Sequence, residues 1–148
     1  MSDKPVHLLL IEDNPGDARL IREFLSEIRN NPYLLECTDR LSKGLELLAV
    51  QHVDLVLLDL SLPDSRGFDT FARVHTQVPD LPIVVVTGSN DEMLAVQAMQ
   101  AGAQDYLVKG EIDSGLLSRA MRYAIERKKT EIALHKAREN LEVRVEER

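Results

Sequence analysis

The residues best suited to chemistry stand at the ends of short apolar runs. They comprise two adjacent acids, one further aspartate, one threonine and one lysine: Glu12, Asp13, Asp59, Thr87 and Lys109. Together, side chains of these types can carry out the transfer of a phosphoryl group. A cation and an ammonium neutralise the phosphoryl oxygens, a hydroxyl donates to one of them, and a carboxylate attacks phosphorus in line to give an aspartyl phosphate. Each residue alone is commonplace, so the prediction depends on their common position at strand ends.

The elements that must hold these residues follow from the apolar runs themselves. Val6 to Ile11, the Val/Leu run before Asp59, and Ile83 to Thr87 are continuously apolar, as expected for strands buried on both faces of a parallel sheet. Shorter runs precede Thr38 and Lys109, and segments of helical spacing separate all five. We therefore predict an α/β fold: a doubly wound, five-stranded parallel sheet in the flavodoxin-like order, with an extended C-terminal helix.

In such sheets ligands bind beyond the carboxyl ends of the strands, where the five polar residues should converge. Three neighbouring carboxylates would repel one another, and burying them without compensation is costly. Lys109 supplies one positive charge. We expect a divalent cation to supply the rest, and Mg²⁺ suits oxygen ligands in a site that retains water.

Composition limits the classes of partner. The 148 residues are 44% hydrophobic with a net charge of −7, which fits one domain and disfavours nucleic-acid binding by this chain. No apolar run is long enough to span a bilayer, and the first residues do not resemble a signal peptide. We therefore expect a cytoplasmic location, with neither nucleic acid nor membrane among the chain's partners.

The combination of motifs resembles the receiver domain of two-component response regulators. The matching residues are Glu12-Asp13, the stretch L-L-D-L-S-L-P-D-S-R-G around Asp59, Thr87-Gly88, and D-Y-L-V-K ending at Lys109. The resemblance covers about Val6 to Met121. It implies that Asp59 accepts a phosphoryl group from the phosphohistidine of a sensor histidine kinase or phosphotransfer protein. Phosphorylation would then switch the conformation and control an output partner or downstream domain.

The resemblance also implies roles for the surrounding residues. Asp13, Asp59 and the backbone carbonyl of Ser61 would hold Mg²⁺, with Glu12 nearby through water. Thr87 and Lys109 would assist the reaction at Asp59, and Tyr106 would be the aromatic switch residue coupled to Thr87. The phosphate-binding positions would be Ser61, Gly88 and Lys109.

The sequence departs from the family pattern in two respects. Gly110 follows Lys109 where the family usually has proline, often in a cis peptide bond, so the loop into the last helix should differ in shape. The positions that tune phosphoryl lifetime hold Ser61 and Ser89, both small and uncharged, and they leave that lifetime open.

Two other classes of protein share this topology. A Mg²⁺-dependent phosphatase with an aspartate nucleophile usually needs a second aspartate two residues on as general acid, where this chain has Ser61. A flavin-binding module would want a hydroxyl- and glycine-rich loop after the first strand, where Glu12 and Asp13 would repel a phosphate. We therefore expect a phosphoryl-accepting switch limited to self-phosphorylation and slow autodephosphorylation, and not an enzyme acting on an external substrate.

The C-terminal segment exceeds what a receiver needs. We predict a receiver domain over residues 1–125 and a helical extension over 126–148. Leu134 and Leu141 lie one heptad apart among charged residues, which hints at a coiled-coil signalling helix joining two copies of the chain. The alternative is a solvated, frayed helix. No output domain is recognisable, so the chain is either a single-domain regulator or the front of a longer protein.

Overall fold

The computed structural model describes the backbone of residues 4–146 and, apart from Ser89 and residues 142–146, their side chains. Glu147 and Arg148, the end of the predicted extension, lie outside the described residues. Within the described part, no helix is both long and apolar enough to cross a bilayer.

Five parallel strands form the central sheet, in the order β2-β1-β3-β6-β7. Their bounds are β1 (Val6–Ile11), β2 (Tyr33–Thr38), β3 (Leu55–Leu58), β6 (Ile83–Thr87) and β7 (Asp105–Val108). Two further strands of two residues each, β4 (Ser61–Leu62) and β5 (Ser65–Arg66), form a small antiparallel pair just after β3. The predicted five-stranded, doubly wound sheet is confirmed.

Helices connect the strands and cover both faces of the sheet. They are α1 (Pro15–Ser26), α2 (Leu41–Val50), α3 (Phe68–Gln77), α4 (Glu92–Gln100) and α5 (Ser114–Glu146), with a 3₁₀ turn at Ser89–Asp91 before α4. Helix α1 begins as its sequence indicates, because Pro15 needs no hydrogen-bond partner for its nitrogen and the Asn14 side chain accepts from the Asp17 N–H.

Alternate residues of each central strand supply the two halves of the core. Leu9, Val56 and Val85 point to the face covered by α2, α3 and α4, whereas Leu10 and Leu57 point to the face covered by α1 and α5. Every residue of β3 and β6 is buried, as continuous apolar runs require.

Helix α5 is uninterrupted from Ser114 to Glu146. Its first turns bury one face against the sheet, at Leu117, Ala120, Met121 and Ala124. The helix continues beyond these residues, with Leu134 and Leu141 exposed. The predicted extended C-terminal helix is therefore present, while the domain boundary at residue 126 stays a prediction.

Candidate functional site

The sheet brings three acids together where β1 and β3 end. Ile11 pairs with Leu58, and the Asp59 N–H donates to the Ile11 carbonyl at 3.0 Å. Glu12, Asp13 and Asp59 therefore leave the sheet side by side, and each offers one carboxylate oxygen within 4.8 Å of the others. Parallel pairing explains this convergence, since it places the carboxyl ends of neighbouring strands at one edge.

Asp59 lies at the centre of the site and is only 4% exposed. Its Oδ1 accepts a hydrogen bond from the Ser61 backbone N–H at 3.1 Å, and its Oδ2 lies 3.2 Å from the Lys109 ammonium. The carboxylate is thus held at both oxygens. Such fixed hydrogen bonds orient a nucleophile before its reaction partner arrives.

Lys109 connects the two buried acids and a third, peripheral one. Its Nζ lies 2.7 Å from Oε1 of Glu12, 3.0 Å from Oδ2 of Asp17 and 3.2 Å from Oδ2 of Asp59. The contact with Asp17 was not anticipated, because the sequence indicates only an acid in the first turn of α1. A signal was available: the first turn of a helix that follows a strand end must pass close to that edge of the sheet.

Burial and neighbouring charges shift the pKa values of Glu12 and Lys109. Burial and, next, the neighbouring Asp59 carboxylate raise the pKa of Glu12 to about 8, against the opposing influence of Lys109. Burial alone would lower the pKa of Lys109, but Glu12, Asp59 and Asp17 outweigh it and raise that pKa above its ordinary value. The ammonium of Lys109 therefore stays charged, whereas Glu12 holds its proton more tightly than an ordinary glutamate does.

The three clustered acids fit a hard divalent cation. Carboxylate oxygens are the preferred ligands of such ions, and the exposed Asp13 gives the cluster access to water. The Ser61 backbone is directly beside Asp59, since its N–H is the hydrogen-bond partner of that carboxylate. The donor set is therefore that of an acidic, oxygen-only pocket.

Thr87 is buried at the end of β6, and its hydroxyl donates to the Gly88 carbonyl at 3.1 Å. Val85 of β6 pairs with Tyr106 of β7, so Thr87 and Tyr106 lie diagonally on one face of neighbouring strands. Tyr106 is half-buried and packs against the core on the α3 and α4 side. The two predicted switch residues are thus near neighbours.

The loop after Lys109 forms a tight turn at Gly110. The Glu111 N–H donates to the Val108 carbonyl at 3.0 Å, which closes a four-residue turn, and Gly110 has φ of 91°. A positive φ at the third position is that of a type II turn and favours glycine. The described residues contain no cis peptide bond.

Asp64, within the motif around Asp59, has a structural role that sequence reasoning missed. Its carboxylate accepts from the N–H groups of Leu41 at 2.8 Å and Ser42 at 2.9 Å, and so caps α2, whose own preceding residue makes no side-chain cap. Hydrogen bonds from the Ser42 backbone, together with that from Leu41, lower the pKa of Asp64. No local pattern reveals a cap that comes from more than twenty residues away.

An apolar groove of about 180 Å³ opens beside the acids, between α1 and the loop into α5. Leu20, Phe24 and Ile112 line its apolar part, and Asp17 and Lys109 line the part next to the site. Leu20 is 47% exposed although it is large and apolar. A partner that approaches Asp59 from this side meets an apolar surface.

Comparison with known proteins agrees with this geometry. The model of the response regulator receiver domain matches residues 8–122. The transcriptional regulatory protein GlrR of Escherichia coli K12 is 32% identical over 126 residues, which are 85% of this chain and 28% of that protein. The regulatory protein LuxO of Vibrio cholerae is 37% identical over 100 residues, 68% of this chain and 21% of LuxO. The chain thus spans less than a third of the length of either relative.

Solved structures of receiver domains share the fold. The signal receiver domain of an HD domain-containing protein from Pseudomonas fluorescens Pf-5 is 30% identical, with a TM-score of 0.76 over 90% of this chain and 95% of that one. The receiver domain of a LuxO repressor protein from Vibrio parahaemolyticus is 25% identical, with a TM-score of 0.74 over 88% and 97% of the two chains. By sequence, fold and the matched residues, the chain belongs to the response regulator receiver domains of two-component signalling.

Proposed function

We propose that this chain accepts a phosphoryl group on Asp59 from the phosphohistidine of a sensor histidine kinase or phosphotransfer protein, and then switches conformation to control an output partner or downstream domain. The observation that carries the proposal is the setting of Asp59. Its carboxylate is buried, is oriented by the Ser61 N–H and Lys109, and lies beside two further acids.

The transfer is a single displacement at phosphorus. A carboxylate oxygen of Asp59 forms a new P–O bond as the P–N bond to the donor imidazole breaks, and the departing nitrogen takes up a proton from water. Lys109 and the Thr87 hydroxyl then bind phosphoryl oxygens, together with the backbone at Ser61 and Gly88. The site would accelerate the transfer mainly by positioning the reacting groups and neutralising the charge of the phosphoryl oxygens, because little other covalent chemistry is needed.

Mg²⁺ is the cation we propose for the acidic pocket. Asp13, Asp59 and the Ser61 carbonyl would hold it, with Glu12 reached through water. When bound, it would neutralise charge on the phosphoryl oxygens and on the acids. This is consistent with the clustering of three acids beside the Lys109 ammonium.

The proposed activity is that of a switch, with self-phosphorylation and slow autodephosphorylation. The phosphatase alternative is disfavoured because Ser61 stands where a general acid would be, and a hydroxyl has no acidity near neutral pH. Thr87 supports a switch in particular. Its hydroxyl now bonds the Gly88 carbonyl, and turning it toward a phosphoryl oxygen would vacate space that Tyr106 can fill.

The output is proposed from the chemistry of the chain and from its relatives. GlrR is described as a transcriptional regulator, which makes control of transcription a candidate output here. We propose that residues 1–148, with a net charge of −7, do not themselves bind nucleic acid or membrane, and that they act in the cytoplasm.

We further propose that two copies pair through the extension of α5. Leu134 and Leu141 are 52% and 60% exposed and lie one heptad apart. A helix this polar is marginal in water when isolated, so pairing would bury its leucines and keep it ordered.

Phosphorylation can be tested directly. Incubation with acetyl phosphate and Mg²⁺ should add the mass of one phosphoryl group, and Asp59→Asn should abolish the adduct. Asp54→Asn is the matched control, because Asp54 precedes the same strand at its opposite end. An adduct that persists in Asp59→Asn would mean that the acceptor is another residue.

A further inference from the structure

Gln104 lies immediately before β7, at the amino ends of the strands. Asp59 lies at the opposite, carboxyl ends. The Gln104 N–H donates to the carbonyl of Ile83, the first residue of β6, at 2.9 Å. Gln104 is only 3% exposed. A buried polar side chain at this end of the sheet is outside the phosphoacceptor site and has no part in the transfer chemistry.

Two residues of α5 contact Gln104, and both follow the turns of that helix that are buried against the sheet. Nη1 of Arg127 donates to the Gln104 backbone carbonyl at 2.9 Å, and Nε2 of Gln104 donates to both carboxylate oxygens of Glu131, at 3.2 and 3.3 Å. Arg127 and Glu131 are four residues apart and therefore share one face of the helix. The Lys128 ammonium lies 3.6 Å from Glu131, and its side chain is 13% exposed.

Packing alone does not explain the choice of glutamine. Oε1 of Gln104 is buried, and it finds no hydrogen-bond partner among the described residues. An unpaired buried oxygen costs stability, which an apolar side chain of similar shape would avoid. What the amide contributes is the donation from Nε2 to the half-exposed Glu131 carboxylate, a hydrogen bond to a charged group that an apolar side chain could not make.

The turn that carries Gln104 is held from the side of α3 as well. Gly102 has φ of 124°, and a Cβ there would come within 3.2 Å of the His75 ring. That ring stacks on Phe71 with centroids 5.2 Å apart. The turn is therefore packed closely against α3, and it transmits displacement better than a free loop would.

The same turn leads directly from α4 into β7. The Ala103 N–H donates to the Ala98 carbonyl of α4 at 2.9 Å, and Tyr106 follows Gln104 by two residues. The segment that contacts Arg127 and Glu131 is therefore continuous with both α4 and the strand that carries Tyr106.

We propose that Gln104, Arg127 and Glu131 form a latch through which β7 fixes the orientation of the α5 extension, so that a change at Thr87 and Tyr106 is transmitted to that helix. Transmission rests on the proposed phosphoryl switch. The latch itself does not, and it can be tested without a phosphoryl donor.

The first experiment measures amide hydrogen exchange of residues 126–136 in the full chain, in the Leu134→Asp, Leu141→Asp background so that pairing contributes nothing. Gln104→Met and Glu131→Ala should each raise exchange about tenfold, since each removes a hydrogen bond to a charged group. Glu131→Gln keeps an acceptor and should restore most of the protection. Glu126→Ala is the matched control, because the exposed Glu126 side chain pairs with the exposed Lys129, at 3.9 Å, and not with Gln104. Wild-type exchange in Gln104→Met and Glu131→Ala would overturn the latch.

The second experiment adds Mg²⁺ and beryllofluoride, a mimic of the phosphoryl group. Exchange in residues 126–136 should change in the chain with an intact latch and not in Gln104→Met, while ¹⁹F spectra show equal beryllofluoride binding in both. An equal response in both would overturn transmission through the latch. Failure of the intact chain to bind beryllofluoride would overturn the proposed function and transmission with it, and the first experiment would still decide the latch.

Discussion

The Lys109 ammonium lies 3.2 Å from Oδ2 of Asp59, and this contact joins the carboxyl end of β3 to that of β7 across the intervening strand β6. The lysine also contacts Glu12 and Asp17, so one positive charge serves several acids. The remaining negative charge makes the site a receptor for cations. It also makes the cluster of acids a source of instability, since like charges repel at short distance.

Mg²⁺ should therefore stabilise the fold. At about ten times its dissociation constant, a ligand of the native state adds roughly 1.4 kcal/mol, or about 3–6 °C in melting temperature for a domain of this size. Thermal melts with and without millimolar Mg²⁺ measure this shift. Asp13→Ala should abolish it, whereas Asp80→Ala, an exposed acid before β6, should retain it. An equal shift in wild type and Asp13→Ala would argue against the pocket.

The Thr87 hydroxyl should be required for the switch but not for phosphorylation. In Thr87→Ala, acetyl phosphate should still modify Asp59, but beryllofluoride should no longer shift the NMR signals of the Tyr106 ring. The reason is that no hydroxyl remains to be drawn toward the phosphoryl oxygens. Thr76→Ala, on the exposed side of α3, serves as the control. A wild-type response of Tyr106 in Thr87→Ala would refute the coupling.

The groove beside α1 should receive the protein donor. Leu20→Asp should slow phosphoryl transfer from a phosphorylated histidine-containing protein at least about tenfold, because it places a charge in an apolar contact. Transfer from acetyl phosphate, which needs no protein surface, should be unchanged. Leu34→Asp alters an equally exposed leucine on β2, away from the groove, and should affect neither reaction. Equal slowing with both donors would point to a damaged site instead.

Stability should depend on pH through His75. Burial and, to a lesser degree, the Lys128 charge lower its pKa in the folded chain. The unfolded chain then binds the proton more readily, so this contribution is complete above about pH 6.5 and is lost as the pH falls. His75→Phe keeps a ring against Phe71 and removes the titration. Its melting temperature should fall less between pH 7.5 and 5.5 than that of wild type, and parallel curves would exclude the effect.

The α5 extension should pair two copies of the chain. Sedimentation should detect a dimer that Leu134→Asp with Leu141→Asp dissociates and that beryllofluoride strengthens in wild type. Asn140→Asp adds a charge on another face of the helix and should leave the dimer intact. A monomer at high concentration, with and without beryllofluoride, would leave the helix as a solvated one.

The sequence alone determined the sheet and the meeting of the site residues. Runs such as Ile83–Thr87 have no polar face, so they can be satisfied only in the interior of a parallel sheet, and parallel pairing gathers the strand ends. The sequence therefore predicts that Asp59, Glu12 and Lys109 meet at one edge of the sheet.

Only the tertiary structure decided which distant groups complete the arrangement. Asp17 reaches Lys109, Asp64 caps α2 and Gln104 meets Glu131, and in each pair the partners come from different elements. Local patterns encode helix and strand through periodicity, but contacts of this kind depend on how helices lie across the sheet. That arrangement is set by the packing of the whole core, which no single segment of sequence contains.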